Sequence, residues 1–255
     1  MTLDELKHIA EKVGELDGWD FSRLRVGRDP VPWNYPDVVR QYLKPTDRVL
    51  DIGTGGGEIF FSLASFFRDG VAVDQNPKMI KTAQRNLAEQ SIGNVTLMQM
   101  EASDLCFEDA EFDIVLTRHL RVYPEQIVRV LTPGGYFITQ TVGQRISLNL
   151  LNGFGWTPAS FGTDWWQTVD DLAEDFRSLG CHVRAKAEYD VPYWFEDVES
   201  LIFYILSVPW PKKIELETHW QQINHIMETC RSERGFASNE HQGLLIVQKR
   251  VSNDE

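Results

Sequence analysis

Few segments leave a chain as little freedom as Val49-Leu-Asp-Ile-Gly-Thr-Gly-Gly-Gly-Glu58, in which a short apolar run breaks at a glycine cluster and a helical pattern follows at once. Glycines at a strand-to-helix turn adopt backbone angles closed to other residues and let the main chain approach a ligand closely. The spacing is Asp51-x-Gly53-x-Gly55-x-Gly57. A dinucleotide-binding fingerprint sets its third glycine one position later, where this chain has Glu58. Taken alone, the motif also fits a glycine-rich turn that holds nothing. Asp74 ends the next apolar run, about 20 residues beyond the loop, where a carboxylate reaches a ribose hydroxyl pair. An aspartate there can instead cap a helix, but Asn76-Pro77 is the better-placed cap.

Around this loop, short apolar runs alternate with helical patterns, as in a parallel sheet covered on both faces. The pattern predicts strands over 48–52, 71–74, 95–99, 112–117 and 136–141, with helices over 58–67, 77–90 and 124–131, the last stopped by Thr132-Pro133-Gly134-Gly135. Val169, Leu172, Ala173, Phe176 and Leu179 then share a helical face closed by Gly180. A strand over 181–189, helices over 196–206 and 214–231, and a strand over 244–249 complete the series. Thr2 and Glu5 match a capping box opening a short N-terminal helix. The expectation is an α/β fold: a doubly wound, seven-stranded, mostly parallel sheet with a helical lid. Its division is a single domain over 1–255, with an N-terminal lid segment 1–45, a core 46–142, and a remainder 143–255 carrying a helical insertion at about 191–240.

The formal charge of −13 argues against a protein that holds nucleic acid mainly by neutralising phosphates. Three scattered cysteines without a CxxC pair indicate neither a disulfide framework nor a zinc site and fit a reducing, cytoplasmic setting. The N-terminus lacks a basic stretch leading into an apolar one, and the longest apolar run, about 201–210, is roughly half a membrane span. Residues 151–255 hold six of the eight tryptophans. Trp165-Trp166, Tyr193-Trp194-Phe195 and Trp210 are candidates for an aromatic-walled acceptor pocket, or else the core of the added helices.

The glycine loop together with Val73-Asp74-Gln75-Asn76-Pro77, Met98-Gln-Met-Glu-Ala-Ser-Asp-Leu-Cys-Phe107, Phe112-Asp-Ile-Val-Leu-Thr-Arg-His119 and Val130-Leu-Thr-Pro-Gly-Gly-Tyr-Phe137 resembles the class I S-adenosylmethionine-dependent methyltransferases. The resemblance covers 48–141 and implies their Rossmann-like fold, with an antiparallel last strand beside the fifth. It implies S-adenosylmethionine as cofactor and S-adenosylhomocysteine as product. Asp51 would then sit near the methionine amino group, and Gly53, Thr54, Gly55 and Gly57 would form the loop. Asp74 would hold the ribose hydroxyls, with Gln75 and Met79 flanking the adenine. Glu101-Ala102 stands where the family has Asp-Ala, one methylene longer, with Asp104 as the alternative carboxylate. Thr117 would face the methionine portion. More narrowly, Thr117-Arg118-His119 and the Ile138-Thr-Gln-Thr-Val-Gly143 strand resemble a bacterial branch without an assigned substrate.

Arg118 and His119 are the catalytic candidates, because they follow the strand that brings acceptor and donor together. A histidine there could take a proton from a nucleophile, and an arginine could orient a carboxylate or phosphate. No Asn/Asp-Pro-Pro-Tyr follows the fourth strand, which argues against amino-methylation of DNA or RNA bases, and no HExxH or close His/Asp set suggests a metal. The reading is methyl transfer to a small-molecule acceptor, with no DNA or membrane partner and with the oligomeric state, monomer or homodimer, left open. The alternatives are an RNA or protein methyltransferase using a basic groove of Arg23, Arg25, Arg28 and Arg118, a non-catalytic binding or scaffold protein, and a nicotinamide oxidoreductase, which the GxGxG spacing disfavours.

Overall fold

In chain order the strands are β1 (Val26–Arg28), β2 (Arg48–Ile52), β3 (Asp69–Asp74), β4 (Val95–Gln99), β5 (Phe112–Arg118), β6 (Leu131–Val142), β7 (His182–Phe195), β8 (Arg231–Ser232) and β9 (Gly235–Gln248). The helices are α1 (Leu3–Val13), α2 (Tyr35–Arg40), α3 (Glu58–Leu63), α4 (Pro77–Ala88), α5 (Pro124–Val130), α6 (Leu148–Gly153), α7 (Val169–Ser178), α8 (Val198–Ser207) and α9 (Leu216–Thr229). They come from a computed structural model that describes residues 1–16, 21–162 and 166–251. The chain divides into two units: a core unit of Pro32–Val142, Gln167–Glu188 and the segment from Gly243 on, and a second unit of Met1–Val31, Gly143–Trp166 and Tyr189–Gln242.

In the core unit the strands lie in the order β7-β9-β6-β5-β2-β3-β4. Neighbours among β2, β3, β4, β5 and β6 are parallel. The last strand lies beside β6 and runs against it: Gly135 pairs with Lys249, and Gly143 pairs with His241. The seven anticipated strands are all present in the order of a doubly wound sheet, but the sheet is not seven-stranded as expected: β1 and β8 bring it to nine.

Both faces of this sheet are covered, which is why β2 reads as an almost continuous apolar run. Leu50 and Ile52 pack on one side with Val73, Val115, Phe137 and Phe176, while Val49 packs on the other with Phe60, Ala72 and Leu116. Successive strand residues point to opposite faces, so the two clusters alternate along one strand. Helix α4 begins where the sequence places it: Asn76 Oδ1 accepts from the Lys78 amide at 3.0 Å, and Pro77 supplies a fixed φ at the first helical position. Asn76→Ala should lower the unfolding free energy by about 1 kcal/mol, read as a lower urea midpoint at unchanged slope.

Strand β9 begins at Gly235 rather than at the anticipated 244, and other elements differ from the sequence reading as well. Strand β6 begins at Leu131, so Pro133 and Gly134 lie within it rather than before it; a register shift opposite Phe112–Ile114 and a Gly134 φ of +83° absorb the missing proline N–H. Strand β7 runs on to Phe195 through Pro192, where a helical insertion was anticipated from about 191. That extension pairs antiparallel with β1, and the Pro192 carbonyl accepts from Asp29 N–H. Two short strands, β1 and β8, were not anticipated; at three and two residues they are too short to show a period.

The second unit has its own core, in which Leu6, Leu150, Phe195, Leu201, Ile202, Ile205, Ile223 and Ile226 are buried. Trp156, Trp210 and Tyr193 pack against that core, with Trp156 stacked on Phe154 at 5.2 Å and the Trp210 indole donating to the Ile205 carbonyl. These rings therefore serve as packing within the unit, the second of the two roles open from sequence. Trp165 lies outside the described residues. No helix among the described residues is long and apolar enough to cross a membrane.

Candidate functional site

Because β5, β2, β3 and β4 are adjacent and parallel, their carboxyl ends open onto one edge of the sheet, where ligands bind in such folds. The glycine loop leaves β2 at this edge. Gly53, Gly55 and Gly57 all have positive φ, at +76°, +59° and +82°, in the region disfavoured for side-chain-bearing residues. A Cβ at Gly53 would come within 2.8 Å of Leu120, and one at Gly57 would collide with the Phe61 ring. The loop is pinned from beneath. The Gly53 and Thr54 amides donate to the Val73 carbonyl at 2.8 and 3.0 Å, and the Asn86 side-chain amide donates to the Gly56 carbonyl at 2.9 Å.

Asp74 is tied into this loop. One carboxylate oxygen accepts from Gly55 N–H at 3.0 Å and the other from Asn76 N–H at 2.9 Å. A carboxylate has about four lone-pair sites, so both oxygens keep capacity for ribose hydroxyls. The residue thus braces the loop, and Asn76 carries the cap of α4.

Asp51 lies at the base of the loop. Desolvation raises its carboxyl from the ordinary aspartate range to about 7, and the Asp74 charge adds to the shift; the nearby Thr54 hydroxyl and the Arg118 guanidinium offset part of it. The Thr54 hydroxyl is itself buried and closes no well-formed hydrogen bond. A desolvated carboxylate beside an unsatisfied hydroxyl, under a loop that excludes side chains, suits a ligand carrying a positive charge and polar groups.

At the other sequence-predicted positions the structure is less uniform. Gln75 and Glu101 are exposed after β3 and β4, Met79 is half-buried on α4, and Ala102 is half-buried against the core. Thr117 is 1% exposed, and its hydroxyl donates to Thr139 at 2.7 Å, so that hydroxyl is committed inside the sheet. Arg118 and His119 are exposed at the end of β5. His119 has a φ of +56°, unusual for a non-glycine residue, and its amide donates to the Gln140 carbonyl at 2.8 Å.

Gln140 completes this end of the sheet together with Trp33 and Tyr35, which the sequence suggests as residues closing over the cofactor. The Tyr35 hydroxyl donates to the carbonyls of Thr117 and Ile138 at 3.0 and 3.1 Å, linking β5 to β6. Burial holds the Tyr35 phenol well above its ordinary pKa, so it remains a donor. The Trp33 indole donates to Gln140 Oε1 at 3.0 Å, and the Gln140 side-chain nitrogen lies 3.2 Å from His119 Nε2. Trp33-Asn34-Tyr35 carries the visible signal, an aromatic pair around a helix cap, but its partners are about 80–110 residues away, a separation no periodicity reveals. Among the described residues no group of three His, Cys, Asp or Glu side chains is placed to hold a metal ion.

Residues 49–135 match the family described as a methyltransferase domain. Over 98 residues the chain is 31% identical to the uncharacterized methyltransferase YcgJ of Bacillus subtilis, covering 36% of this chain and 39% of the relative. Over 108 residues it is 30% identical to the ubiquinone/menaquinone biosynthesis C-methyltransferase UbiE of Zymomonas mobilis, covering 40% and 45%. The matched stretch therefore spans less than half of either relative. The crystal structure of YcgJ from Bacillus subtilis superposes with a TM-score of 0.61 at 17% identity, over 85% of this chain and 98% of that one, which extends the likeness of fold beyond the matched stretch. Strand order, loop geometry and the family match agree: residues 49–135 of this chain are a methyltransferase domain of the class I, S-adenosylmethionine-dependent family.

Proposed function

We propose that this chain transfers a methyl group from S-adenosylmethionine to a small-molecule acceptor. The observation that carries the reading is the desolvated Asp51 carboxylate beneath a loop with three glycines at positive φ. Asp51 would receive the methionine ammonium, the loop amides and Thr54 would line the cofactor's middle, and Asp74 would accept from the ribose hydroxyls. Gln75 and Met79 would flank the adenine, with the Glu101 carboxylate and the Ala102 amide at its edge. Thr117 would support this floor from within the sheet. Bound there, S-adenosylmethionine supplies an already activated methyl group, so holding the acceptor in line does much of the work. His119 and Arg118 are the groups proposed to bind and orient the acceptor.

A small acceptor is favoured over RNA by the net charge of −13 and by where three of the four candidate arginines go. Arg25 pairs with Glu196 and Asp197, Arg28 with Glu240, and Arg23 donates to the Val13 and Glu15 carbonyls. A phosphate backbone needs uncommitted cations. The relative UbiE, which acts in ubiquinone/menaquinone biosynthesis, is likewise named for small-molecule chemistry.

The test is a calorimetric titration with S-adenosylhomocysteine, with a nicotinamide dinucleotide as control. The reading expects saturable one-to-one binding of the former alone. Folded, ligand-free protein that binds neither would overturn it in favour of a scaffold role, and binding of the dinucleotide alone would favour an oxidoreductase.

A further inference from the structure

Gln140 is 6% exposed, and its side-chain amide lies between two ring nitrogens: Trp33 Nε1 is 3.0 Å from Oε1, and His119 Nε2 is 3.2 Å from the amide nitrogen. An amide's two ends look alike by shape, and only their partners fix which way it points. Here the indole decides. Trp Nε1–H is a donor and never an acceptor, so the end facing it is the carbonyl oxygen. The end facing His119 is then the NH2 group, a donor, and His119 Nε2 must offer its lone pair. A neutral imidazole with an unprotonated Nε2 carries its proton on Nδ1.

We propose that Trp33 and Gln140 are positioning residues that set the tautomer of His119, placing its proton on Nδ1. The chain of hydrogen bonds runs from the indole N–H to the Gln140 carbonyl, and from the Gln140 amide to His119 Nε2. The ring is held at its backbone too, through the His119 N–H to Gln140 carbonyl bond and the left-handed φ. One consequence concerns chemistry. Taking a proton at Nε2 requires His119 to give up the Gln140 contact, so the ring as arranged is a hydrogen-bond donor through Nδ1 and not a poised base. That role in acceptor handling rests on the proposed function; the tautomer itself does not.

The experiment is 15N NMR of protein labelled at histidine, at a pH where the ring is neutral. The His119 signals are assigned by their loss in His119→Gln. The inference expects a protonated Nδ1 and an unprotonated Nε2. In Gln140→Glu the carboxylate still accepts from the indole and now also accepts from the ring, so the proton should move to Nε2. Should Gln140→Glu fail to fold, Trp33→Phe is read instead: with the indole gone the amide can turn over, and the Nε2–H form should grow at the expense of Nδ1–H. A wild-type His119 protonated on Nε2 would overturn the inference, and so would an unchanged tautomer in whichever of the two folded variants is read. A purely structural role for Gln140 would change stability in these variants and leave the tautomer alone. No cofactor or acceptor is present in the measurement, so a failure of the methyl-transfer reading and a failure of this one are separate results.

Discussion

Binding of S-adenosylhomocysteine should weaken about tenfold for each pH unit below about 7 and level off above it, because in the proposed mode its ammonium binds the Asp51 carboxylate and a proton competes for that group. The sign follows from the direction of the shift. The folded Asp51 is raised to about 7 from the 3.8 of an ordinary aspartate, so between those values the ligand-free fold holds a proton that the unfolded chain has released. That group therefore makes the ligand-free protein less stable as pH rises from about 4 to about 7, by up to ~4 kcal/mol, after which the loss is constant. Below about pH 7 the bound cation drives the proton off, and calorimetry in buffers of different ionisation enthalpy should register its release. Asp51→Asn should abolish the pH dependence, weaken binding at pH 8 by roughly 10- to 100-fold as a charge-assisted bond is lost, and raise the melting temperature of the ligand-free protein. A folded Asp51→Asn variant with wild-type affinity and pH profile would remove Asp51 from the cofactor site.

Asp74→Ala should be comparably damaging to binding, for two separable reasons. It removes the proposed acceptor for the ribose hydroxyls, and it also releases the Gly55 and Asn76 amides that its two oxygens now hold. Charge-assisted hydrogen bonds contribute about 1.5–3 kcal/mol each, so a loss of roughly 100-fold or more in affinity is the expected result. Stability should fall too, because Gly55 is buried and its amide would lose its acceptor; a fall in melting temperature of about 2–6 °C is anticipated. Asp74→Asn separates the two effects. It keeps an acceptor for one backbone amide while placing a donor against the other, and it presents a neutral group to the ribose. A folded Asp74→Ala variant that binds normally would sink the ribose assignment.

Much of the core unit can be read from the sequence because its elements are set by local rules. Val95–Gln99 forms the strand its apolar run predicts, and Asn76-Pro77 opens α4 by a cap and a fixed φ that two adjacent residues supply. Asp51 and the three glycines are legible for the same reason: a turn that needs positive φ has to be written in glycine. What could not be read depends on partners far along the chain. The commitment of the Thr117 hydroxyl to Thr139 follows from strand register, which periodicity leaves open. Pro192 looks like a terminator because its neighbours give no sign that β1 will come to pair with Tyr193–Phe195. The aromatic residues of the second unit were ambiguous because a ring that lines a pocket and a ring that fills a core obey the same hydrophobic pattern.

The tether from α2 to the ends of β5 and β6 sets an order of events during synthesis. The glycine loop and Asp74 are 19 residues apart and can meet as soon as β3 has left the ribosome. Trp33 must wait for Gln140, 107 residues later, and Tyr35 for Ile138, 103 later. Closing contacts of that separation is slow and comes after local structure has formed. A nascent chain stalled near residue 120 would thus have its loop and first strands in hand, while the imidazole of His119 would be without its companion amide. The half of the site proposed to grip a nucleoside matures early, and the half that would meet an acceptor is finished only when the sixth strand arrives.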